Sequence, residues 1–173
     1  MEFRKAEERD LPAIKTMYEA IVADMNSKGV CIWHDGYPYP VFCEEVPEGK
    51  LYVLTEGEEI LSAISILDSH EGMNRVRWKE PDAPAIYMSR LGVSVSHRRE
   101  GIAKKTLNAA LALARERGGR YLRLFAVDSN YPAIAMYEKY GFSGAEGMFV
   151  EYLDDGRVSH EYGFEKNVND IIK

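Results

Sequence analysis

The chain has 173 residues, of which 46% are hydrophobic and 29% are charged, and its formal net charge is −6. Length and composition predict a soluble protein with one domain over residues 1–173, and the acidic balance excludes broad nucleic-acid binding, which needs a basic surface. The N-terminal stretch MEFRKAEERD has no apolar leader, and no run approaches about 18 apolar residues, so we expect a cytoplasmic protein without a membrane segment.

Residues 10–26 are predicted to form the first helix. Asp10 stands at its capping position, Pro12 lies in its first turn, and apolar side chains recur behind them at helical spacing. Residues 30–50 follow as an irregular segment that is rich in aromatic side chains and includes three prolines. Within it, a short helix is expected over 40–46.

The middle of the chain predicts strands. The segments LYVLT (51–55) and ILSAISIL (60–67) flank the turn EGEE and favour an antiparallel hairpin. The polar stretch 68–83 is long for a connection, which is typical of functional or mobile loops. Residues 86–95 are predicted to form a strand that Gly92 interrupts, and a lone strand glycine indicates a bulge or a close approach to the backbone.

The C-terminal half predicts an alternation of helices and strands. An amphipathic helix over 101–117 precedes a strand over 121–127 that is rich in β-branched and aromatic residues. Asn130 then caps a short helix, which Gly141 ends. The tail alternates around Asp155-Gly156, a hairpin signal. The order of elements predicts a mixed α/β (α+β) domain.

The start of the helix at 101 is unusually cationic. Arg98, Arg99, Lys104 and Lys105 lie around a helix N-terminus that already has a partial positive charge of roughly half an electron, and only Glu100 offsets them. A bound phosphate would explain the cluster, because the free N–H groups of a first helical turn bind anions. The alternative is a solvated, charged helix start.

Two motifs resemble those of the GNAT superfamily of N-acyltransferases. The string Arg98-Arg99-Glu100-Gly101-Ile102-Ala103 is neither a P-loop nor a G-x-G-x-x-G pattern, and it is similar to that family's pyrophosphate loop, [QR]-x-x-G-x-[GA]. The segment from Val127 to Phe142 is similar to the family's V-x-x-x-N-x-x-A-x-x-x-Y-x-x-x-G-F. Leu91-Gly92-Val93 stands where the family has a bulged strand. The order of elements agrees from about residue 2 to residue 166.

The resemblance implies a GNAT-like fold, in which helices flank a central, mostly antiparallel, twisted sheet, and it implies acetyl-CoA as the donor. Backbone N–H groups of the loop would hold the pyrophosphate, and strand amides would bind the pantetheine arm like an added strand. The implied donor-binding residues are Leu91, Val93, Val95, Arg98, Arg99, Glu100, Gly101, Ile102, Ala103, Lys104, Asn130, Ala133 and Tyr137.

Two of these residues would be catalytic. A bulge at Gly92 would direct the N–H of Val93 at the thioester oxygen, where it stabilises the developing oxyanion. Tyr137, about 10 Å along a helix from Asn130, would protonate the departing thiolate. Three plainer readings stay open: Gly92 accommodates packing, Asn130 only caps its helix, and Tyr137 is a core residue.

The general base and the acceptor are less defined. Ser89 and Arg90 occupy the central strand where family members often have a glutamate, and Val95 replaces a frequent proline. The base candidates are His34, Asp35, His70 and Glu71. An acceptor pocket is expected from the early aromatic segment, with Trp78 added by the loop 68–83. Its candidate residues are Trp33, His34, Tyr37 and Ser89.

The implied function is an acetyl-CoA-dependent N-acetyltransferase. Its acceptor would be a small amine, an amino acid or a peptide N-terminus that attacks the thioester directly. The alternative is a sensor module that binds acyl-CoA without turnover. By analogy only, such folds are often homodimers. Cys31 and Cys43 are the only cysteines and give neither a disulfide framework nor a zinc pattern, so no metal is expected.

Overall fold

The computed structural model describes residues 1–33, 36–152 and 156–172. It has a mixed α/β fold with a mostly antiparallel sheet flanked by helices, which confirms the predicted fold class. The chain divides into two compact units, one formed by residues 1–66 and 88–109 and the other by 67–87 and 110–173. The assignment of the chain to one domain stays a prediction.

The first unit has two strands of its own and shares two more. Its strands lie in the order β1, β2, β3, β4, with β1 antiparallel to β2 and β2 antiparallel to β3. The elements are β1 (Glu2–Lys5), α1 (Leu11–Ser27), α2 (Tyr39–Glu45), β2 (Leu51–Glu56), β3 (Glu59–Leu67), β4 (Ala85–Val93) and α3 (Ile102–Glu116), of which β3, through Leu67 alone, β4 and α3 contribute residues to both units.

In the second unit the strand order is β4, β5, β8, β6, and β7 also pairs with β8. β4 runs parallel to β5, with Ala85–Tyr87 opposite Tyr121–Arg123, whereas the pairs made by β8 are antiparallel. The elements that belong to this unit alone are β5 (Tyr121–Val127), α4 (Tyr131–Lys139), β6 (Ser143–Gly144), β7 (Phe149–Tyr152) and β8 (Val158–Asn167).

The core of the first unit forms along one face of α1. The buried side chains Ile14, Met17, Tyr18 and Ile21 recur every three or four residues, so they form one stripe. The stripe belongs to a core cluster with residues of β2, β3 and α2. Asp10 does not cap this helix through its side chain, because its carboxylate accepts hydrogen bonds from the Arg4 guanidinium at 2.7 Å and from the backbone of Glu7 at 2.8 Å.

Most of the predicted elements are confirmed within one or two residues. The strand predicted over 86–95 is wrong at its end, since it stops at Val93 and residues Val95–His97 form a 3₁₀ turn. Strand β1 was not predicted. The C-terminal hairpin is confirmed by the pairing of Tyr152 with Val158, although Asp155 of its predicted turn lies outside the described residues.

Candidate active site

The loop before α3 contains two residues in the left-handed conformation. Arg98 is extended, with a φ of −69° and a ψ of 148°, whereas Arg99 has a φ of +68° and Gly101 has +76° immediately before the helix begins. Residues 98–101 form a turn, and successive N–H groups of a turn make a concave surface that binds anions. The left-handed conformation costs a non-glycine residue such as Arg99 roughly 1–2 kcal/mol. The loop therefore holds a strained concave surface of main-chain donors.

These donors have no acceptor in the described part of the chain. The backbone N–H groups of residues 98–104 donate to no atom of residues 1–33, 36–152 or 156–172, and Lys105 is the first to bond backward, to the carbonyl of Gly101 at 3.1 Å. A Cβ added at Gly101 would meet nothing within 4 Å. A run of unpaired donors beside open space, at a helix N-terminus, is suited to an oxygen-rich anion.

The cations of the loop differ in their roles. The guanidinium of Arg98 pairs with Asp24 on α1, and hydrogen bonds from Lys28 and from Arg98 lower the pKa of that carboxyl. Arg98 thus ties the loop to α1 and is already engaged by a carboxylate. The Nζ of Lys105 lies 3.3 Å from the Sδ of Met1. Among the residues that the structure describes, the side chains of Arg99 and Lys104 have no partner.

His97, directly before the loop, is held between two carboxylates. Its Nδ1 lies 3.0 Å from Oε2 of Glu100, and its Nε2 lies 2.8 Å from Oε1 of Glu59. A neutral imidazole has only one N–H, so the ring must be protonated to donate to both. The hydrogen bond to Glu100, followed by that to Glu59, raises the pKa of His97.

We expect His97 to titrate above the ordinary histidine value of about 6.5. Because its pKa is raised in the folded protein, its stabilising contribution is fully present below pH ~6.5 and is lost as the pH rises through the folded pKa. Titration of the histidine ring carbons by NMR, with His97→Gln to assign the signal, measures this pKa. If the titration midpoint of His97 in the wild type is no higher than in the double variant Glu59→Gln/Glu100→Gln, the pairing of His97 with both carboxylates is contradicted.

The irregular residue of β4 is Arg90. Its φ is +53°, whereas Gly92, two residues later, has no positive φ, so the bulge at Gly92 stays a prediction. A Cβ at Gly92 would lie 2.6 Å from the ring of Tyr18. The close approach of another residue to the backbone, which was the second interpretation of this glycine, therefore explains it. The Tyr18 hydroxyl donates to the carbonyl oxygen of Arg90 at 2.5 Å, and the carbonyl oxygen of Ala63 lies 3.1 Å from the same hydroxyl.

In the second unit, Asn130 is the N-cap of α4 and Tyr137 lies in the last turn of that helix. Oδ1 of Asn130 accepts from the backbone N–H of Ala133 at 3.3 Å, so the predicted cap is confirmed. Tyr137 is buried, and its ring lies 5.6 Å from that of Phe142 and 6.3 Å from that of Phe164. Burial raises the pKa of the Tyr137 hydroxyl, so it stays protonated at neutral pH.

A family model described as the acetyltransferase (GNAT) family matches residues 14–142. The chain belongs to the GNAT acetyltransferase family. The mycothiol acetyltransferase of Corynebacterium glutamicum (strain R) is 32% identical over 103 residues, which are 60% of this chain and 31% of that protein. The chain thus spans about a third of the length of the curated relatives that it matches first.

Solved structures show the same fold. A GNAT family acetyltransferase from Streptococcus agalactiae 2603 has a TM-score of 0.77 at 19% identity, covering 96% of this chain and 94% of that one. The yncA acetyltransferase of Salmonella typhimurium, solved with its cofactor acetyl-CoA, has a TM-score of 0.65 at 18% identity, covering 96% and 93%. In this GNAT chain, no helix of the described residues is both long and apolar enough to cross a bilayer.

The first unit of the GNAT chain contains a cavity of about 340 Å³ beside α1. Its wall is mostly aromatic and aliphatic, and its lining residues are Lys15, Tyr18, Glu19, Val22, Ala23, Gly36, Tyr37, Pro38 and Tyr39. Of the residues predicted to form the acceptor site, Tyr37 lines it and Trp33 contacts the Tyr18 ring at 5.5 Å. Ser89 is half-buried on β4 and is not in the lining. His34 and the base candidate Asp35 lie outside the described residues.

Of the positions that sequence analysis singled out in the loop 68–83 of the GNAT chain, His70 and Trp78 serve packing, whereas Glu71 is exposed. The ring of His70 stacks on Phe125 at 4.3 Å, and its Nδ1 accepts from the backbone of Gly72 at 3.1 Å. Trp78 is 3% exposed, and its indole N–H donates to the carbonyl of Met73. Trp78 is therefore a core residue, and the expectation that it walls an acceptor pocket is wrong.

Sequence analysis missed Glu161, on β8. It pairs in register with Val127 of β5 and with Phe149 of β7, and it accepts a hydrogen bond from the Ser159 hydroxyl at 3.2 Å. Burial, and then the charge of Glu151, raise the pKa of Glu161 to about 7. A carboxyl that titrates near neutral pH suits proton transfer. Only its place in an alternating strand was visible in the sequence.

Proposed function

We propose that the protein is an acetyl-CoA-dependent N-acetyltransferase that transfers the acetyl group to a primary amine. The observation that carries the proposal is the run of N–H groups over residues 98–104 that donate to no described residue, on a turn with left-handed residues at Arg99 and Gly101 that leads into α3. Such a surface binds diphosphate groups, and acetyl-CoA carries one. Membership of the GNAT family supports the same donor.

The proposed donor site extends from this loop. Amides of residues 98–104 hold the pyrophosphate, with Arg99 and Lys104 as the cations that are not engaged by described residues. Leu91 and Val93 of β4 contact the pantetheine arm. Asn130 contacts it through its side-chain NH2 group, since the helix cap uses only its Oδ1. Val95 belongs to a 3₁₀ turn, so its contribution is a turn amide and not a strand amide.

The proposed reaction is a direct acyl transfer. The lone pair of a neutral amine attacks the thioester carbon, a C–N bond forms, the C–S bond breaks, and CoA leaves as a thiolate. The N–H of Val93 stabilises the oxyanion, Tyr137 gives its hydroxyl proton to the thiolate, and the proton that the acylated nitrogen loses restores the Tyr137 hydroxyl. An alkylamine with a pKa near 10.4 is mostly protonated at pH 7, so a base must remove a proton first.

Glu161 is the proposed base. It lies on β8 opposite Val127 and Phe149, and its pKa, raised to about 7 by burial, makes it a stronger base toward an ammonium group than an ordinary glutamate. Of the base candidates from the sequence, His70 has its Nδ1 engaged by Gly72 and its ring stacked in an aromatic cluster.

The cavity beside α1 is the proposed acceptor site. At about 340 Å³ it is at the small end of the ~300–1,000 Å³ of typical ligand pockets, so it suits a small amine, an amino acid or one peptide terminus. Its wall includes three tyrosines, whose rings favour cations, and the Glu19 carboxylate.

Thermal shift measurements with acetyl-CoA, CoA, ATP and NADH test the donor. At a hundredfold excess over its Kd, a specific ligand adds about 2.7 kcal/mol of stability. We expect acetyl-CoA and CoA to stabilise the protein. Stabilisation by ATP or NADH without acetyl-CoA would overturn the proposal. Release of free thiol that depends on an added amine then distinguishes the enzyme from a sensor module.

Tyr137→Phe is expected to lower kcat by roughly 10²-fold, because the phenol proton no longer reaches the leaving thiolate. Donor Kd should change little, since the ring and its contacts with Phe142 and Phe164 remain. Stopped-flow thiol release and calorimetric titration with acetyl-CoA measure the two quantities. Tyr140→Phe, at the end of the same helix, is the matched control. Equal kcat in the two variants would remove Tyr137 from the reaction.

A further inference from the structure

A buried charged cluster lies beside the irregular residue of β4. Glu45, the last residue of α2, is 6% exposed and accepts from Nη2 of Arg90 through one carboxylate oxygen. Its other oxygen accepts from the Ser65 hydroxyl of β3 at 2.5 Å. Both oxygens of Glu45 are thus engaged, and the Arg90 side chain is only 14% exposed.

Arg90 is also fixed through its backbone. Its carbonyl oxygen accepts from the Tyr18 hydroxyl of α1, while its guanidinium reaches α2. Its φ of +53° is a conformation that costs a non-glycine residue roughly 1–2 kcal/mol. Arg90 is therefore held in a left-handed conformation from two helices at once.

Stability alone does not explain this arrangement. A buried ion pair contributes less than well-packed apolar side chains of the same volume often do. In addition, Nε of Arg90 is buried without a hydrogen-bond partner among the described residues, and such a donor costs about 1–3 kcal/mol. Strained backbone that the surroundings enforce is concentrated at functional sites.

We propose that Glu45 is a positioning residue, which acts through Arg90 to aim the amides of Leu91 to Val93. This inference rests on the proposed function, since it assigns those amides to the thioester. A left-handed residue within a strand rotates the peptides that follow it, and a return to extended φ would re-aim them. Gly92 lies under the Tyr18 ring, so the segment is held on both sides of Leu91.

The stretching vibration of the thioester carbonyl reports whether these amides point at it, and the measurement needs no acceptor amine. A hydrogen bond from a β4 amide polarises the C=O bond and lowers its stretching frequency. Infrared difference spectra of [1-¹³C]acetyl-CoA, bound and free, measure that shift. Glu45→Gln is the test variant, because it keeps the size of the side chain and an oxygen for Arg90 and removes the charge.

Glu165→Gln is the matched control. Glu165 accepts from Nε of Arg123 at 3.0 Å in a somewhat more deeply buried pair on β8 and β5, and it has no part in the proposed site. We expect the carbonyl shift in the wild type and in Glu165→Gln, and its loss in Glu45→Gln. With an accepted amine, kcat of Glu45→Gln should fall at least about tenfold while donor Kd stays within about twofold, since the phosphates bind elsewhere on the chain.

A full shift in Glu45→Gln, or an equal loss in both variants, would overturn the inference. If Glu45→Gln does not fold, Arg90→Gly/Glu45→Gln takes its place. Glycine adopts a φ of +53° without steric cost and leaves no unpaired buried charge, so part of the shift should be present. Its complete absence would again overturn the inference. A wild type that does not bind acetyl-CoA at all would contradict the proposed function, and the inference with it.

Discussion

Glu161→Gln is expected to lower kcat/KM for the amine by roughly 10²–10⁴-fold at pH 8, the usual contribution of a positioned general base. Glutamine keeps the shape of the side chain and its bond with Ser159, but it cannot take a proton from the ammonium group. Thiol release with a saturating donor, over a range of amine concentrations, measures this ratio. Donor Kd should be unchanged.

The pH dependence separates a base from a residue that only supports the fold. Protonation of the amine affects the wild type and Glu161→Gln alike, so it cancels in the ratio of their kcat/KM values. That ratio should be constant above pH ~7 and fall up to tenfold per pH unit below it, because Glu161, with a pKa of about 7, is then protonated. A ratio that does not vary with pH would remove Glu161 as the base.

The same variant should be more stable than the wild type at pH 8. The pKa of Glu161 is raised from 4.5 to about 7, so the native state holds its proton over a range in which the unfolded state loses it. Stability therefore falls as the pH rises from about 4.5 to about 7, by up to roughly 2 kcal/mol once screening by water is allowed for. Glutamine lacks this penalty. Thermal unfolding at pH 5 and pH 8 measures the difference, which should grow with pH.

Glu151→Gln is the matched control for both effects. The charge of Glu151 is the second cause of the raised pKa of Glu161, after burial. Its removal should lower that pKa and move the inflection of the kcat/KM profile to lower pH, without the loss of activity. An inflection at the same pH in both proteins would mean that another group titrates in the profile.

Local sequence patterns predicted the parts of the site that depend on local geometry. The loop before α3 is one continuous stretch whose glycine, helix start and unpaired amides follow from neighbours in the chain, and the cap at Asn130 is likewise local. By contrast, the sequence left open whether Arg98 adds a charged contact to the phosphates or orders the loop. Its pairing with Asp24, 74 residues away, is a tertiary contact that no spacing rule reveals.

The residues that sequence reasoning misplaced or missed depend on packing between distant segments. Gly92 was open to two readings because a strand glycine fits both a bulge and a close contact, and only the position of Tyr18 shows the close contact. The pKa of Glu161 is raised to about 7 chiefly by burial. The alternating pattern of a strand shows which face a side chain is on, but not how deeply it is buried. Trp78 stands in a polar stretch, yet it contacts the buried Arg123 guanidinium at 4.5 Å.

Gly101→Asp is expected to weaken acetyl-CoA binding by more than about a hundredfold. Gly101 has a φ of +76°, and a Cβ added there meets no described atom within 4 Å, so the fold accommodates a side chain at a residue that is itself part of the run of unpaired amides. A carboxylate about 4 Å from a phosphate repels it by roughly 1–4 kcal/mol per unit charge, depending on the local dielectric, and a diphosphate carries more than one charge.

Gly101→Asn isolates the charge from the strain. Asparagine and aspartate have the same shape, and both tolerate the left-handed conformation better than other residues do. The strain of replacing glycine is then common to both variants, and equal melting temperatures would verify it. Isothermal titration with acetyl-CoA should therefore give a moderate loss for Gly101→Asn and a loss at least about tenfold larger for Gly101→Asp.

Salt dependence completes the test, because repulsion between exposed charges is screened over a Debye length of about 10 Å at 0.1 M ionic strength. The difference between Gly101→Asp and Gly101→Asn should shrink as sodium chloride is raised from low concentration to 1 M. Equal affinities for the two variants at low salt would mean that the diphosphate does not lie at Gly101.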